Sequence, residues 1–194
     1  MIHSPSELKS LPASEIPALC GEIRAEILDA ATENGGHLAS NLGVVEMTVA
    51  LHRVFDSPKD TIIFDVGHQC YAHKIITGRL DGFRSLRRFG GMSGFPSREE
   101  SEHDPFTTGH SGTSLSSALG IAEARRLQNS GAWTVAVIGD GSFGNGMIYE
   151  ALKGCARKGL TLMIVLNDNE MSISRNVGAL SDYFGKIRLL IYYI

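Results

Sequence analysis

The residues "GDGSFGNG" (139–146) place one carboxylate inside a glycine-rich turn. Gly139, Gly141 and Gly144 fit the spacing G-x-G-x-x-G, which is typical of dinucleotide-binding loops. Asp140, however, stands between the first two glycines, where its charge would repel a bare pyrophosphate strongly in a water-poor cleft. A bound Mg²⁺ would remove this repulsion, because it binds carboxylate and phosphate oxygens together. The pattern therefore predicts a diphosphate–metal site.

A second polar group, the "NDN" of residues 167–169, follows the next apolar run along the chain. Asn169 would supply an amide oxygen beside the Asp140 carboxylate, and hard oxygen ligands of this kind are those that Mg²⁺ prefers. Gly141 and Ser142 would offer backbone N–H groups to the diphosphate. For each segment taken alone, a tight turn that binds no ligand is the simpler alternative.

Three short apolar runs precede polar segments and are predicted to be buried strands. They cover residues 61–66, 133–138 and 161–166, and the segments that end them are DVGH, GDG and NDN. Apolar residues at helical spacing predict helices near 18–36, 43–55, 113–128 and 145–158. The residues predicted to face the core are Leu19, Ile23, Ile27, Ala30, Val44, Thr48, Leu51, Phe55, Leu115, Leu119, Ala122 and Leu127. The alternation predicts an α/β fold, a parallel sheet with helices on both faces, whose ligands bind beyond the carboxyl ends of the strands.

Two regions are predicted to be irregular. Prolines interrupt residues 1–17. Residues 81–112 are rich in glycine, proline and serine, and loops of this length are often functional. The densest basic cluster of the chain lies here and is predicted to be a solvated helix face; its members are Arg84, Arg87 and Arg88.

Composition narrows the class of protein. The 194 residues are 43% hydrophobic and 20% charged with a formal net charge of −3, which predicts a globular protein and not a basic nucleic-acid-binding module. The three cysteines are scattered without a C-x-x-C pair, so neither a zinc site nor a disulfide framework is predicted. The sequence shows no signal-peptide pattern and no apolar run of about 18–20 residues. We therefore expect a cytoplasmic protein without nucleic-acid or membrane partners.

Several long blocks of the sequence carry a resemblance to a known family. "GDG" followed by "NDN" resembles the thiamine-diphosphate signature of the transketolase-like enzymes. The 1-deoxy-D-xylulose-5-phosphate synthase family in particular is resembled by "GGHLASNLGVVEMTVALHRVF", "FDVGHQCYAHKIITGR", "GGMSGFPSREESEHD", "TGHSGTSLSSALGIA" and "LNDNEMSISRNVGAL". The similarity runs from about residue 5 to residue 187.

The resemblance implies a thiamine-diphosphate-binding fold and a transferase that condenses pyruvate with glyceraldehyde 3-phosphate, with release of CO₂. The product would serve isoprenoid, thiamine and pyridoxol biosynthesis. Asp140 and Asn169 would bind Mg²⁺, with the Met171 carbonyl as a third ligand. The residues that match thiamine diphosphate contacts are His68, Gly109, His110, Ser111, Gly141, Ser142 and Asn169.

The resemblance also implies catalytic roles for three of the histidines. His37, in "GGHLASN", matches a family histidine near the thiazolium and the substrate. Together with His68 and His110 it is expected to transfer protons, because imidazole titrates near neutrality. The role of His73 is left undecided. The histidines predicted to lie at the surface are His3, His52 and His103.

Two departures from the family pattern bear on function. Gly112 stands where many relatives have serine, a change that a backbone contact to phosphate is expected to tolerate. Family members are much longer, so residues 1–194 are expected to be a partial, truncated amino-terminal diphosphate-binding domain that lacks the pyrimidine-binding and carboxy-terminal domains. The intact enzyme is expected to be a homodimer, whereas the activity of this chain alone stays open.

Three alternatives also stay open. They are the amino-terminal half of a split transketolase, a non-catalytic fragment that binds thiamine diphosphate and Mg²⁺, and a dinucleotide-dependent oxidoreductase. The "GFPSREESEHD" and "NEMSIS" blocks favour the synthase over a transketolase. The oxidoreductase is disfavoured because Asp168 lies further from Gly139 than the roughly 20 residues typical of a ribose-binding acidic residue.

Overall fold

The computed structural model describes residues 1–168 and, beyond them, Gly178, Ala179, Asp182, Tyr183 and Lys186. Two of the predicted site residues, Asn169 and Met171, lie outside the described residues. The helices are α1 (Pro5–Ser10), α2 (Ile16–Asn34), α3 (Leu38–Leu42), α4 (Val45–Val54), α5 (Tyr71–Lys74), α6 (Ser114–Leu127), α7 (Asp140–Phe143) and α8 (Gly146–Cys155). Shorter turns are the 3₁₀ segments Ala13–Glu15 and Phe83–Ser85 and the π-helical segment Ile75–Arg79.

The strands are β1 (Thr61–Phe64), β2 (Thr134–Gly139) and β3 (Leu162–Asn167), and they form one parallel sheet in the order β1-β2-β3. Thr61 of β1 lies opposite Thr134, which in turn lies opposite Leu162. All three strands therefore run in step and end at the same edge of the sheet. The register confirms the prediction that the polar segments following the strands share this edge.

Helices cover both faces of the sheet, as predicted. Successive side chains of a strand point to opposite faces, so each strand contributes to two cores. The strand residues that pack with α2, α4 and α5 are Ile62, Phe64, Val135 and Val137. The strand residues that pack with α6 and α8 are Ile63, Ala136 and Ile138.

Most of the predicted core positions on the helices are confirmed, but Leu119 is only half-buried and the prediction for Leu127 is wrong. The positions on α2 and α4 are buried, including Ile23 and Ile27, which have no exposed surface. On α6, Leu115 and Ala122 are fully buried, but Leu127 is 69% exposed. Leu127 is the last residue of α6, so its face of the helix extends past the sheet that covers the earlier turns.

The structure differs from two predictions about where helices begin. The first residues are not irregular throughout, because α1 begins at Pro5, where the missing N–H costs no hydrogen bond, and the Ser4 side chain accepts from the Glu7 N–H. The predicted helix over 43–55 is shorter, since α4 begins at Val45.

The predicted basic helix face is also wrong in its structure, although its residues are exposed. Arg84 lies in the 3₁₀ segment Phe83–Ser85, and Arg87 and Arg88 follow it in non-helical chain. Arg87 has a φ of 64°, a value that an α-helix does not accommodate.

The prediction of a surface position for His52 is wrong. His52 has no exposed surface, and its Nε2 lies 2.8 Å from Nδ1 of His73, which is also buried. His73 in turn pairs with Asp104 over 2.9 Å. His103 is half-buried, with Nδ1 2.8 Å from the Ser57 hydroxyl, whereas His3 is exposed as predicted.

Candidate functional site

The carboxylate that follows β1 anchors the "GHSGTS" loop. Asp65 is 1% exposed, and its Oδ1 accepts from the Gly112 N–H over 2.9 Å. Its Oδ2 accepts from the backbone N–H and the hydroxyl of Ser114, over 3.2 Å and 2.5 Å. Asp65 belongs to the polar DVGH segment that ends the first predicted strand, and donors from the protein itself occupy its carboxylate. This pairing brings the predicted cofactor residues 109–111 to the edge where β1 ends.

Two of the three predicted catalytic histidines lie together. The rings of His37 and His68 are 5.2 Å apart between centroids and meet edge to face at 67°. Asn41, which is fully buried, holds both loops, because its Nδ2 donates to the His37 carbonyl over 2.6 Å and to the His68 carbonyl over 2.8 Å. Its Oδ1 accepts from the Tyr71 N–H at the start of α5. Sequence reasoning missed Asn41, although it belongs to the same "GGHLASN" block as His37.

Burial is the main influence on the protonation of this histidine pair. It lowers the pKa of His37 below the ordinary value, and the nearby Arg87 charge lowers it further. Burial also lowers the pKa of His68, with a further lowering from His37 that Asp65 opposes. Both imidazoles are therefore more completely neutral at pH 7 than a histidine with the ordinary pKa would be.

His68 also has an unsatisfied polar atom. Its Nδ1 is buried and has no hydrogen-bond partner among the described residues. Such an atom is costly unless another molecule satisfies it. A polar ligand placed against His68 fits this observation.

The remaining predicted residues of the "GHS" loop are exposed at the surface of the edge. Gly109, His110 and Ser111 are all accessible. The carbonyl and the hydroxyl of Ser111 both lie within reach of the Asn145 Nδ2, at 3.3 Å and 3.4 Å. Asn145 also accepts from the Met147 N–H and so caps α8. This asparagine, which sequence reasoning did not single out, joins the loop to the helix that follows the "GDG" segment.

Gly112 is less tolerant of substitution than expected. Its φ is +82°, a backbone conformation that residues other than glycine rarely adopt. A Cβ at this position would lie 2.5 Å from the Asn145 Cγ. Its N–H donates to Asp65 and is therefore engaged inside the protein. The expectation of a permissive backbone contact to phosphate is not supported at this position.

The predicted metal ligand Asp140 lies beside a second acidic residue. Asp140 begins α7 directly after β2, and Asp168 directly follows β3; both are half-buried. Burial, followed by the neighbouring Asp168 carboxyl, raises the pKa of Asp140 above its ordinary value. The Asp168 contribution is a shared hydrogen bond, which favours a protonated carboxyl, together with charge repulsion; a divalent cation would allow both carboxyls to be ionised.

The donor set therefore suits a hard cation such as Mg²⁺. Asp140 supplies a carboxylate oxygen, the ligand type that this ion prefers. Within residues 1–168 and the few described beyond, no group of three or more His, Cys, Asp or Glu side chains could hold a metal. A cation at Asp140 would thus depend on further ligands of other kinds, and the predicted ones, Asn169 and Met171, fall outside the described part of the chain.

Steric contacts do not require glycine at the first and last positions of the G-x-G-x-x-G loop. Gly139 and Gly144 have φ values of −78° and −72°, which any residue can adopt. A Cβ added at either would meet no described atom within 4 Å. The close backbone approach that a dinucleotide fingerprint requires is therefore not enforced at these two glycines.

Comparison with known proteins identifies the family. The family model described as 1-deoxy-D-xylulose-5-phosphate synthase matches residues 1–193. The synthase of Thiobacillus denitrificans is 56% identical over 186 residues, which are 96% of this chain and 30% of that protein. The synthase of Syntrophotalea carbinolica is also 56% identical, over 95% of this chain and 29% of that protein. The chain belongs to the 1-deoxy-D-xylulose-5-phosphate synthase family. It spans about 30% of the length of these relatives and matches an amino-terminal portion.

Solved structures confirm the fold class of this synthase-family chain. Transketolase from Campylobacter jejuni superimposes with a TM-score of 0.76 at 20% identity, covering 87% of this chain and 30% of the transketolase. Transketolase from Leishmania mexicana gives a TM-score of 0.72 at 22% identity over 88% of this chain and 30% of that protein. At these identities the likeness concerns the fold. None of the helices described here is long and apolar enough to cross a membrane.

Proposed function

We propose that this chain forms the diphosphate-binding part of an enzyme that condenses pyruvate with glyceraldehyde 3-phosphate to 1-deoxy-D-xylulose 5-phosphate, releasing CO₂. Family membership supports the proposal. The observation that carries it is the position of Asp140 and Asp168, which directly follow the adjacent parallel strands β2 and β3 at the same edge of the sheet. A site for a cation and a diphosphate accounts for like charges at this edge better than a plain turn does.

Thiamine diphosphate and Mg²⁺ are the proposed cofactors. Asp140, Asn169 and the Met171 carbonyl would hold the Mg²⁺. When bound, thiamine diphosphate supplies the electron sink for breaking and forming the carbon–carbon bonds. The residues proposed to contact it are His68, Gly109, His110, Ser111, Gly141, Ser142 and Asn169.

The chain's own contribution would be orientation and proton handling. His37 and His68, held by Asn41, present imidazoles whose lowered pKa values keep them neutral and able to accept a proton near pH 7. His110 would act from the exposed loop that Asp65 anchors through Gly112.

The wider setting is proposed on family membership alone. The product would feed isoprenoid, thiamine and pyridoxol biosynthesis in the cytoplasm. The whole enzyme would be a homodimer, in which a pyrimidine-binding domain completes the site. Pyruvate and glyceraldehyde 3-phosphate would then be the partners of the complete site, without nucleic acid or membrane.

Titration calorimetry with thiamine diphosphate tests the binding function directly. Wild-type chain is expected to bind in the presence of Mg²⁺, and Asp140→Asn is expected to bind at least about tenfold more weakly. The matched control is Asp81→Asn, which makes the same change at an exposed position and is expected to bind like the wild type.

Two calorimetric results would contradict the proposal. Equal affinity with and without Mg²⁺, and equal affinity of wild type and Asp140→Asn, would show that the site does not use a metal. Absence of binding by the wild type and both variants would show that the chain does not bind thiamine diphosphate. A separate assay with both substrates, thiamine diphosphate and Mg²⁺ measures whether the chain turns over alone.

A further inference from the structure

The covering segment, defined as residues 93–104, contacts His37 and the residue before His68. The Phe95 ring is 6.0 Å from the His37 ring between centroids, at an interplanar angle of 61°. Pro96 packs onto Gly67, the residue before His68, so closely that a Cβ there would overlap its ring. Phe95 therefore lies against the His37 ring, and Pro96 lies against the turn that leads into His68.

Glu100 ties the start of the covering segment to the chain after α5. Its Oε1 accepts from the Ser93 N–H over 2.5 Å, and its Oε2 forms an ion pair with Lys74. Lys74 has no exposed surface, and Arg79 lies 3.5 Å from the same Oε2. One carboxylate therefore joins a backbone amide of the segment to two cations outside it.

Asp104 makes an equivalent tie at the other end of the covering segment. It is 2% exposed, and its Oδ2 accepts from the Ser97 N–H over 2.8 Å and from Arg79 Nη1 over 2.6 Å. Its Oδ1 accepts from Arg79 Nη2 over 3.0 Å and pairs with His73 Nε2 over 2.9 Å. The guanidinium is thus bound in the bidentate geometry that fixes orientation as well as charge.

Breaking the contacts of Glu100 and Asp104 would cost considerable free energy. Removing one partner of a buried ion pair leaves an uncompensated charge, which is strongly destabilising. Lys74 and Arg79 would lose their counter-charges, and His73 would lose its hydrogen bond to Asp104, if the covering segment moved away from residues 71–79. None of these groups is among the residues proposed above to contact the cofactor.

We propose that Glu100 and Asp104 are positioning residues for the candidate site, because they hold Phe95 and Pro96 against His37 and the Gly67–His68 turn. The proposal rests on the proposed function only for the importance of the two histidines. The positioning itself is a property of this chain without any cofactor.

The consequence is a specific direction of change in the histidine pKa values. The charged group that affects the pKa of His37 is Arg87, and the groups that affect the pKa of His68 are His37 and Asp65. Burial is the largest cause of the lowered pKa of each histidine. Loss of the cover therefore raises both pKa values, whereas loss of the Glu100 negative charge acting directly would lower them. The sign of the change separates the two effects.

The test is an NMR titration of the histidine ring signals in the full chain without cofactor, comparing wild type with Glu100→Gln. The expected result is an upward shift of the His37 and His68 midpoints in the variant. The matched control is Glu33→Gln, which breaks the exposed ion pair with Arg88 and is expected to leave both midpoints unchanged. Thermal unfolding of the same samples reports any loss of stability separately.

A second variant keeps the proposal testable if Glu100→Gln fails to fold. Phe95→Ala removes the ring from His37 and leaves both carboxylate ties intact, so the His37 midpoint is expected to rise. Unchanged or lowered midpoints in a folded variant would overturn the proposal, even with reduced stability. Because thiamine diphosphate is absent throughout, failure of the cofactor proposal would not affect this outcome.

Discussion

The carboxylates of Asp104 and Asp140 lie in opposite electrostatic surroundings. Burial alone would raise the pKa of Asp104, but hydrogen bonds from His73 and Arg79 outweigh it and hold the pKa well below the ordinary value. Asp140, less deeply buried, lies near another acid, and its pKa is raised. The comparison teaches that a deeply buried carboxylate bound by protein donors stabilises the fold. A carboxylate beside another acidic side chain indicates instead a position where a ligand would bind.

Asp104→Asn is expected to cause the largest loss of stability. The neutral amide removes the nearer of the two carboxylates that balance the Arg79 charge and leaves only Glu100, at a cost of about 3–5 kcal/mol in the free energy of unfolding. Urea denaturation measures this loss, with Asp81→Asn at an exposed position as the control. A loss of unfolding free energy no larger than that of Asp81→Asn would contradict a stabilising role for Asp104.

The acid dependence of stability sharpens the same point. Because the folded pKa of Asp104 is lowered, its contribution is fully present above its ordinary pKa of 3.8 and is lost as the pH falls below it. The difference in unfolding free energy between wild type and Asp104→Asn is therefore expected to shrink from pH 6 towards pH 2. A difference that stays constant over this range would contradict the ion pairing.

Asp65→Asn is expected to have the next largest effect. The amide keeps the shape but loses charge-assisted hydrogen bonds from Gly112 and Ser114, each worth about 1.5–3 kcal/mol. Hydrogen exchange at the Gly112 amide is expected to become faster, as is exchange in the first turn of α6. Unchanged exchange there would show that the loop is held by other contacts.

Gly112→Ser is expected to cost about 1–3 kcal/mol of stability, since it forces a side chain into a positive-φ conformation. The matched control is Gly131→Ser, where a Cβ meets no described atom within 4 Å and φ is not in the left-handed region. Chemical denaturation compares the two variants. Equal stability of both would contradict the conformation of the loop at Gly112.

Much of the fold could be predicted from the sequence because it depends on local periodicity. Apolar residues such as Ile23 and Ile27 repeat at helical spacing, and the three short strands are apolar throughout. Asp140 was identified because its charge conflicts with the glycine motif around it.

The parts that could not be predicted depend on contacts between distant segments. His52 is polar and its burial requires His73, which lies 21 positions away and has a partner, Asp104, that is more distant again. Asn41 is one of several polar residues in its block, and only the fold shows that it bridges His37 and His68. Sequence patterns indicate which side chains carry chemistry but not which distant donors will satisfy them.

Asp140→Asn is expected to have the smallest effect on the chain alone, and with the opposite sign to Asp104→Asn. A carboxyl with a raised pKa contributes stability at low pH that is lost as the pH rises through the folded pKa. Removal of the charge at pH 7 is therefore expected to stabilise slightly, by less than about 1 kcal/mol because the pair is partly exposed and screened.

Thermal unfolding of wild type and Asp140→Asn, with and without Mg²⁺ and thiamine diphosphate, tests the central claim most directly. The claim is that the acidic pair beyond β2 and β3 is completed by a cation and a diphosphate. Without ligands, the variant is expected to unfold at the same temperature as the wild type or slightly higher. With both ligands at about 100 times the dissociation constant, the wild type is expected to gain about 2.7 kcal/mol and the variant little, so that their order reverses. An equal gain by both proteins, or no gain by either, would contradict the account.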